Sequence, residues 1–109
     1  MDRKTFMEMA KRTSEGALAL MSGKQDEYSG DRGNAFYNFI RSAEIERTAP
    51  EQSLFGKMDK HFVSIIDMVE VPRIYSEKYI DEKIMDMQNY LLLLKGLLLD
   101  RNKELEGKR

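Results

Sequence analysis

The chain contains no cysteine and only one histidine. Without thiols it has no disulfide, no thiolate zinc site and no cysteine nucleophile, which suits a reducing compartment. A single imidazole excludes a multi-histidine metal site. A Ser-His-Asp arrangement would have to run through His61, and no nucleophile-elbow motif accompanies it. An excess of one charge is missing too: 18 basic side chains meet 19 acidic ones, for a net charge of −1. Affinity for duplex nucleic acid comes mainly from phosphate neutralisation, so no duplex DNA partner is expected. Long apolar runs are also absent. The longest lies within Leu91–Leu99, is interrupted by Lys95 and is too short to span a bilayer. The opening Met1-Asp2-Arg3-Lys4 is polar, unlike a signal peptide. Together these absences predict a cytoplasmic protein with no membrane partner.

What remains is helical. The 109 residues, 41% hydrophobic and 34% charged, suit one all-α domain spanning 1–109, a compact bundle of four helices over about 2–22, 34–46, 50–70 and 76–104. In the first helix Phe6, Ala10, Thr13, Ala17 and Leu20 recur at helical spacing, widened by Met9 and Met21. A polar loop rich in glycine, 22–33, follows. The second helix turns Phe36, Phe39, Ile40 and Ala43 inward. Thr48-Ala49-Pro50-Glu51 reads as a capping box with proline in the first turn. The third helix carries Leu54, Met58, Phe62, Ile65, Ile66 and Val69 on one side, and Pro72 ends it. The last helix has its main stripe at Ile80, Ile84, Met87, Leu91, Leu94 and Leu98, with Leu92 and Leu99 on another side. A helix this apolar around its circumference needs covering on several sides, which predicts a homo-oligomer with the long last helix at the interface. The charged tail 101–109 is expected to fray.

Three groups of residues are candidates for chemistry. Lys24, Asp26, Glu27, Tyr28, Asp31 and Asn34 crowd the 22–33 region, either as a solvated connector or as a ligand-contacting loop. In the second case lysine meets phosphate, Tyr28 stacks on a base and Asp31 caps the second helix. On the third helix Lys57, His61 and Ser64 share one edge of the apolar stripe, and Lys60 lies on the more exposed side. A boundary histidine is ordinarily a packed, hydrogen-bonded residue, but Lys57 and His61 together can also hold an anion. On the fourth helix Glu82, Asp86 and Asn89 follow at i, i+4 and i+7, beside Tyr90. This is either a solvated acidic face or a pair of carboxylates able to hold Mg²⁺.

The run Glu82-Lys83-Ile84-Met85-Asp86-Met87-Gln88-Asn89-Tyr90-Leu91-Leu92-Leu93-Leu94 resembles the last core helix of the MazG-like all-alpha nucleoside triphosphate pyrophosphohydrolases. Lys24 through Phe36 is similar to the loop of small phage and prophage members, and Leu54-x-x-x-Met58-x-Lys60-His61 to their middle helix. The resemblance implies Mg²⁺-dependent release of pyrophosphate from a nucleoside triphosphate by a dimer or tetramer. Glu82 and Asp86 would be the catalytic metal ligands. Lys24, Lys57 and Lys60 would hold the phosphates, and Tyr28 or Phe36 the base, with Asp31, Asn34, His61, Asn89 and Tyr90 around them. Two departures stand against intact catalysis. The family's middle-helix Glu-x-x-Glu pair is replaced by Lys57, Lys60 and His61, and the inner glutamate of the last helix is Lys83. Lysines remove ligands and add charge of the metal's own sign. Two other readings therefore stand beside hydrolysis: a non-catalytic binder of a nucleotide or phosphorylated signal, and a helical protein-interaction module.

Overall fold

The computed structural model describes residues 1–29 and 33–108, with side chains for 1–25 and 33–108. The order is α1 (Arg3–Ser29), α2 (Tyr37–Glu46), α3 (Pro50–Lys57), α4 (Asp59–Glu70) and α5 (Glu77–Gly107). The fold is all-α, with no strand among the described residues. Here α3 and α4 are the two halves of the stretch expected as one helix, so four helical stretches are present. No helix among the described residues is long and apolar enough to cross a membrane.

Local chemistry accounts for most of the ends. The Asp2 carboxylate accepts the Thr5 amide at 2.7 Å and starts α1. The Asn34 side chain accepts from the Phe36 amide at 2.8 Å, an Asx turn leading into α2. That helix closes on Arg47 in the left-handed region, φ 59°, from which Thr48 donates back to Ala43 at 2.9 Å. Before α3 the expected Thr48/Glu51 pairing is not the one formed. The cap is Ala49, whose amide donates to Gln52 Oε1 at 3.0 Å, and alanine has no side-chain acceptor to complete a reciprocal box. Pro72 follows the end of α4, where the Tyr75 hydroxyl lies 3.1 and 2.9 Å from the carbonyls of Asp67 and Val71, which also accept from the Val71 and Arg73 amides. Ser76 caps α5 by accepting from the Tyr79 amide at 3.1 Å.

Two boundaries differ from expectation. The helix expected to stop at Ser22 continues to Ser29, so 22–29 is not a loop. Gly23 sits in open space, and one exposed glycine costs about 1 kcal/mol relative to alanine. Lys24, Gln25 and Glu27 are good helix formers, and docking of Lys24 on α5 offsets that cost. The tail expected to fray is helical to Gly107, with Arg101 3.7 Å from Glu51 of α3.

The core is small: Phe39, Leu54, Met58, Leu93 and Leu97 form one cluster, with Met21, Phe36, Met87, Tyr90 and Leu94 packed against it. Leu54 and Met58 are fully buried. The inward stripe of α3 and α4 runs Leu54, Met58, His61, Ile65, Met68, in steps of four and three. The expected continuation through Phe62, Ile66 and Val69 is instead exposed, Val69 to 78%. Repeated steps of four drift around a 3.6-residue helix, and this one drifts off the core. The same correction applies to α5, which buries Asn89, Leu93 and Leu97 and leaves Ile80, Ile84 and Leu91 outside. On α1, Ala17 is buried whereas Phe6 and Leu20 are exposed.

Two glycines sit at close approaches. A Cβ on Gly16 would overlap the thioether end of Met85, and one on Gly96 would overlap the Phe36 ring. The Met85 tip can swing aside, so Gly16→Ala is expected to be neutral or stabilising by up to about 1 kcal/mol through helix propensity. The Phe36 ring is rigid and wedged against the core. Overpacking of about 1–3 kcal/mol there exceeds the same gain, so Gly96→Ala is expected to destabilise by about 1 kcal/mol. Urea unfolding of the two variants checks the contrast.

Candidate functional site

Asp86 of α5 is the centre of a place where, among the described residues, predicted site residues from three helices meet. Lys24 Nζ of α1 lies 3.8 Å from Asp86 Oδ1, and His61 Nδ1 of α4 lies 3.9 Å from Oδ2. Lys24 reaches it because the inward face of α1 passes through Thr13, Ala17, Met21 and Lys24, at helical spacing. His61 reaches it because it occupies the inward stripe of α4, with only 12% of its side chain exposed. Its ring lies 4.7 Å from that of Tyr90, tilted by 44°, and Tyr90 in turn meets Phe39 edge-on at 6.5 Å. Asn89, one turn beyond Asp86, faces α1 and donates to the Ala17 carbonyl at 2.9 Å.

The local field is cationic. Burial holds the His61 imidazole below its usual pKa. The Asp86 charge opposes that shift, and the ammonium groups of Lys60, Lys83 and Lys24 add to it. Three lysines, one from each of α4, α5 and α1, thus act on His61. Lys83 is the residue that the sequence reading left out of the site. Its signal was present: it stands three residues before Asp86 and seven before Tyr90, on their side of the helix. Its ammonium also lies 5.2 Å from the Tyr79 ring centre. Next to this cluster, Gly56, Lys57, Asp59, Lys60 and Tyr90 line an open cleft of about 410 Å³.

The other candidates are placed differently. Lys57 does not join His61: its ammonium is 3.1 Å from Glu46 Oε1 and 2.8 Å from Ser53 Oγ, tying α3 to the end of α2. Those contacts hold the Glu46 carboxyl below its usual value. Phe36 packs on the core and against Gly96, away from any base-stacking role. Asn34 forms the turn before α2. Glu82 is exposed on α5. Tyr28 and Asp31 lie outside the residues whose side chains are described.

A magnesium site needs several converging oxygen ligands. Among the described residues no three carboxylate or imidazole groups gather in a way that would hold a metal. Asp86 faces an ammonium and an imidazole, and the helix partner of Glu82 one residue on is Lys83. This donor set does not fit the Mg²⁺ that the resemblance implies. Comparison with known proteins adds no identity: no family model, no curated protein and no solved structure matches the chain.

The His61 shift carries a pH dependence of stability. With the folded pKa below the unfolded one, the unfolded chain binds more protons as pH falls through the ordinary imidazole value of 6.5. The contribution of His61 is therefore whole above that value and declines below it. Urea midpoints are expected to fall between pH 7.5 and pH 5.5, and His61→Gln is expected to flatten that slope. An equal slope in the variant would show that other groups set it.

Proposed function

We propose that the chain binds a phosphorylated, nucleotide-sized ligand in the cleft beside Tyr90, and that its lysines hold the phosphates without a metal. The observation that carries this reading is that lysines from three helices, Lys60, Lys83 and Lys24, all act on His61, with Lys24 3.8 Å from Asp86 and Lys60 in the lining of the cleft. Phosphate recognition needs donors and positive charge, both of which ammonium groups supply. Asp86 lies between Lys24 and His61, 3.8 Å from the ammonium and 3.9 Å from the imidazole, and offsets the lysine charge. A polyphosphate takes over that neutralising role when it arrives. A cleft of about 410 Å³ falls in the range that small-molecule sites occupy, and Tyr90 supplies it with an aromatic wall. The family resemblance favours a nucleoside triphosphate as the first ligand to try. Lys57, Lys60, His61 and Lys83, which stand where the resemblance implies carboxylates, favour binding over hydrolysis.

Thermal shift with nucleoside triphosphates in EDTA tests the reading. A ligand at a hundred times its dissociation constant stabilises the fold by about 2.7 kcal/mol. Lys60→Ala and Lys83→Ala are each expected to weaken binding roughly tenfold, the loss of one charge-assisted contact. Asp86→Asn is expected to leave affinity unchanged or to tighten it, because it removes the negative charge at the site. Loss of the shift in EDTA, or its abolition by Asp86→Asn, would instead return Asp86 to the role of metal ligand.

A further inference from the structure

The surface of this chain is too large for its mass. It exposes 8178 Å², whereas a folded monomer of 12.7 kDa exposes about 6,200 Å². Its radius of gyration is 16.4 Å, against about 13 Å for a compact domain of this length. The excess, about 2,000 Å², is what one subunit of an obligate homodimer buries, above the roughly 800 Å² per partner of a standard-size interface. Much of it is apolar: Leu18, Ile84, Leu91, Leu92 and Leu99 are all exposed on the two longest helices.

We propose that the groove between α1 and α5 is filled by the same groove of a second copy of this chain. Its floor is made by Ala17 and Ser14, and its walls by Leu18, Gln88, Leu91 and Leu92, around an open volume of about 440 Å³. Small residues on the floor and half-exposed leucines on the rim give one patch both a hollow and the knobs to fill it. That is the requirement of an isologous contact, in which a surface meets itself across a twofold axis. Two such pairs laid together make a four-helix layer in which Leu18, Leu91 and Leu92 become core. The exposed apolar side of α4, at Phe62, Val63, Ile66 and Val69, is a single short helix face. A second apolar groove, of about 450 Å³ beside Phe55, Leu94 and Leu98, opens near its start, but Glu51 and Asp59 line it, and a twofold contact there would set those carboxylates against their own copies.

Sedimentation of the full chain is expected to give a species of twice 12.7 kDa. Leu91→Glu is expected to raise the dissociation constant roughly 30-fold or more, as loss of an anchoring side chain does. Val69→Glu on α4 is expected to leave it unchanged. Should Leu91→Glu unfold once it dissociates, the cysteine-free background supplies a second test. Mild oxidation of Leu91→Cys or Leu92→Cys is expected to give a disulfide-linked dimer, and Val69→Cys to remain unlinked. A monomeric wild-type chain would overturn the proposal. So would cross-linking through Val69→Cys with neither groove position reacting.

Discussion

The amide of Asn89 donates to the carbonyl of Ala17 at 2.9 Å, inside the contact between α1 and α5. Asn89 is 5% exposed, and its other atom, Oδ1, is buried without a hydrogen-bond partner among the described residues. A buried acceptor left unpaired costs roughly 1–3 kcal/mol, so the arrangement persists because the packing around it is worth more. The approach is close only because α1 presents Gly16 and Ala17 at the crossing. A larger residue at Ala17, which is 2% exposed, would push the helices apart and break the bond. With Ala17 fixed against Asn89, Lys24 stands seven residues further along the same face of α1. Asp86 stands one turn before Asn89 on α5. The ion pair between them follows from that crossing.

Among the described residues the site is a product of helix packing. Asp86 and His61 lie on core-facing stripes, and both are polar exceptions in otherwise apolar rows. His61 interrupts the series Leu54, Met58, Ile65, Met68. Asp86 and Asn89 precede Leu93 and Leu97 on α5. Each stripe changes from apolar to polar at the same level of the fold, so the polar groups meet one another instead of facing hydrocarbon. Such a patch costs stability compared with a continuous core.

How much of this was legible in the sequence depends on the element. Helical character, the start of the last helix near Ser76, the stop before Pro72 and the inward Phe39, Ala43, Leu54 and Met58 followed from spacing and proline chemistry. The extension of α1 through Gly23 did not, because the contact of Lys24 with Asp86 of α5 on that stretch is tertiary. The phase of the later stripes was misread for a related reason. With Leu91, Leu92, Leu93 and Leu94 consecutive, hydrophobicity alone does not say which leucine faces the core. The polar residues would have been the better guide: Asp86, Asn89 and His61 seemed to mark an outer or boundary face and in fact mark the inner one. Their grouping with Lys24 and Tyr90 was expected from the family resemblance. The diversion of Lys57 to Glu46, and the entry of Lys83, needed the folded neighbours.

The central claim is that Lys24, Lys60 and Lys83 form one anion-binding surface around Asp86. Amide and side-chain chemical shifts followed by NMR, while inorganic triphosphate is added in the presence of EDTA, test it most directly. The account predicts saturable shifts concentrated at Lys24, Lys60, His61, Lys83 and Tyr90, with the distant Lys11 and Lys103 unmoved. Shifts spread evenly over all lysines, or a response that appears only when Mg²⁺ replaces EDTA, would contradict it.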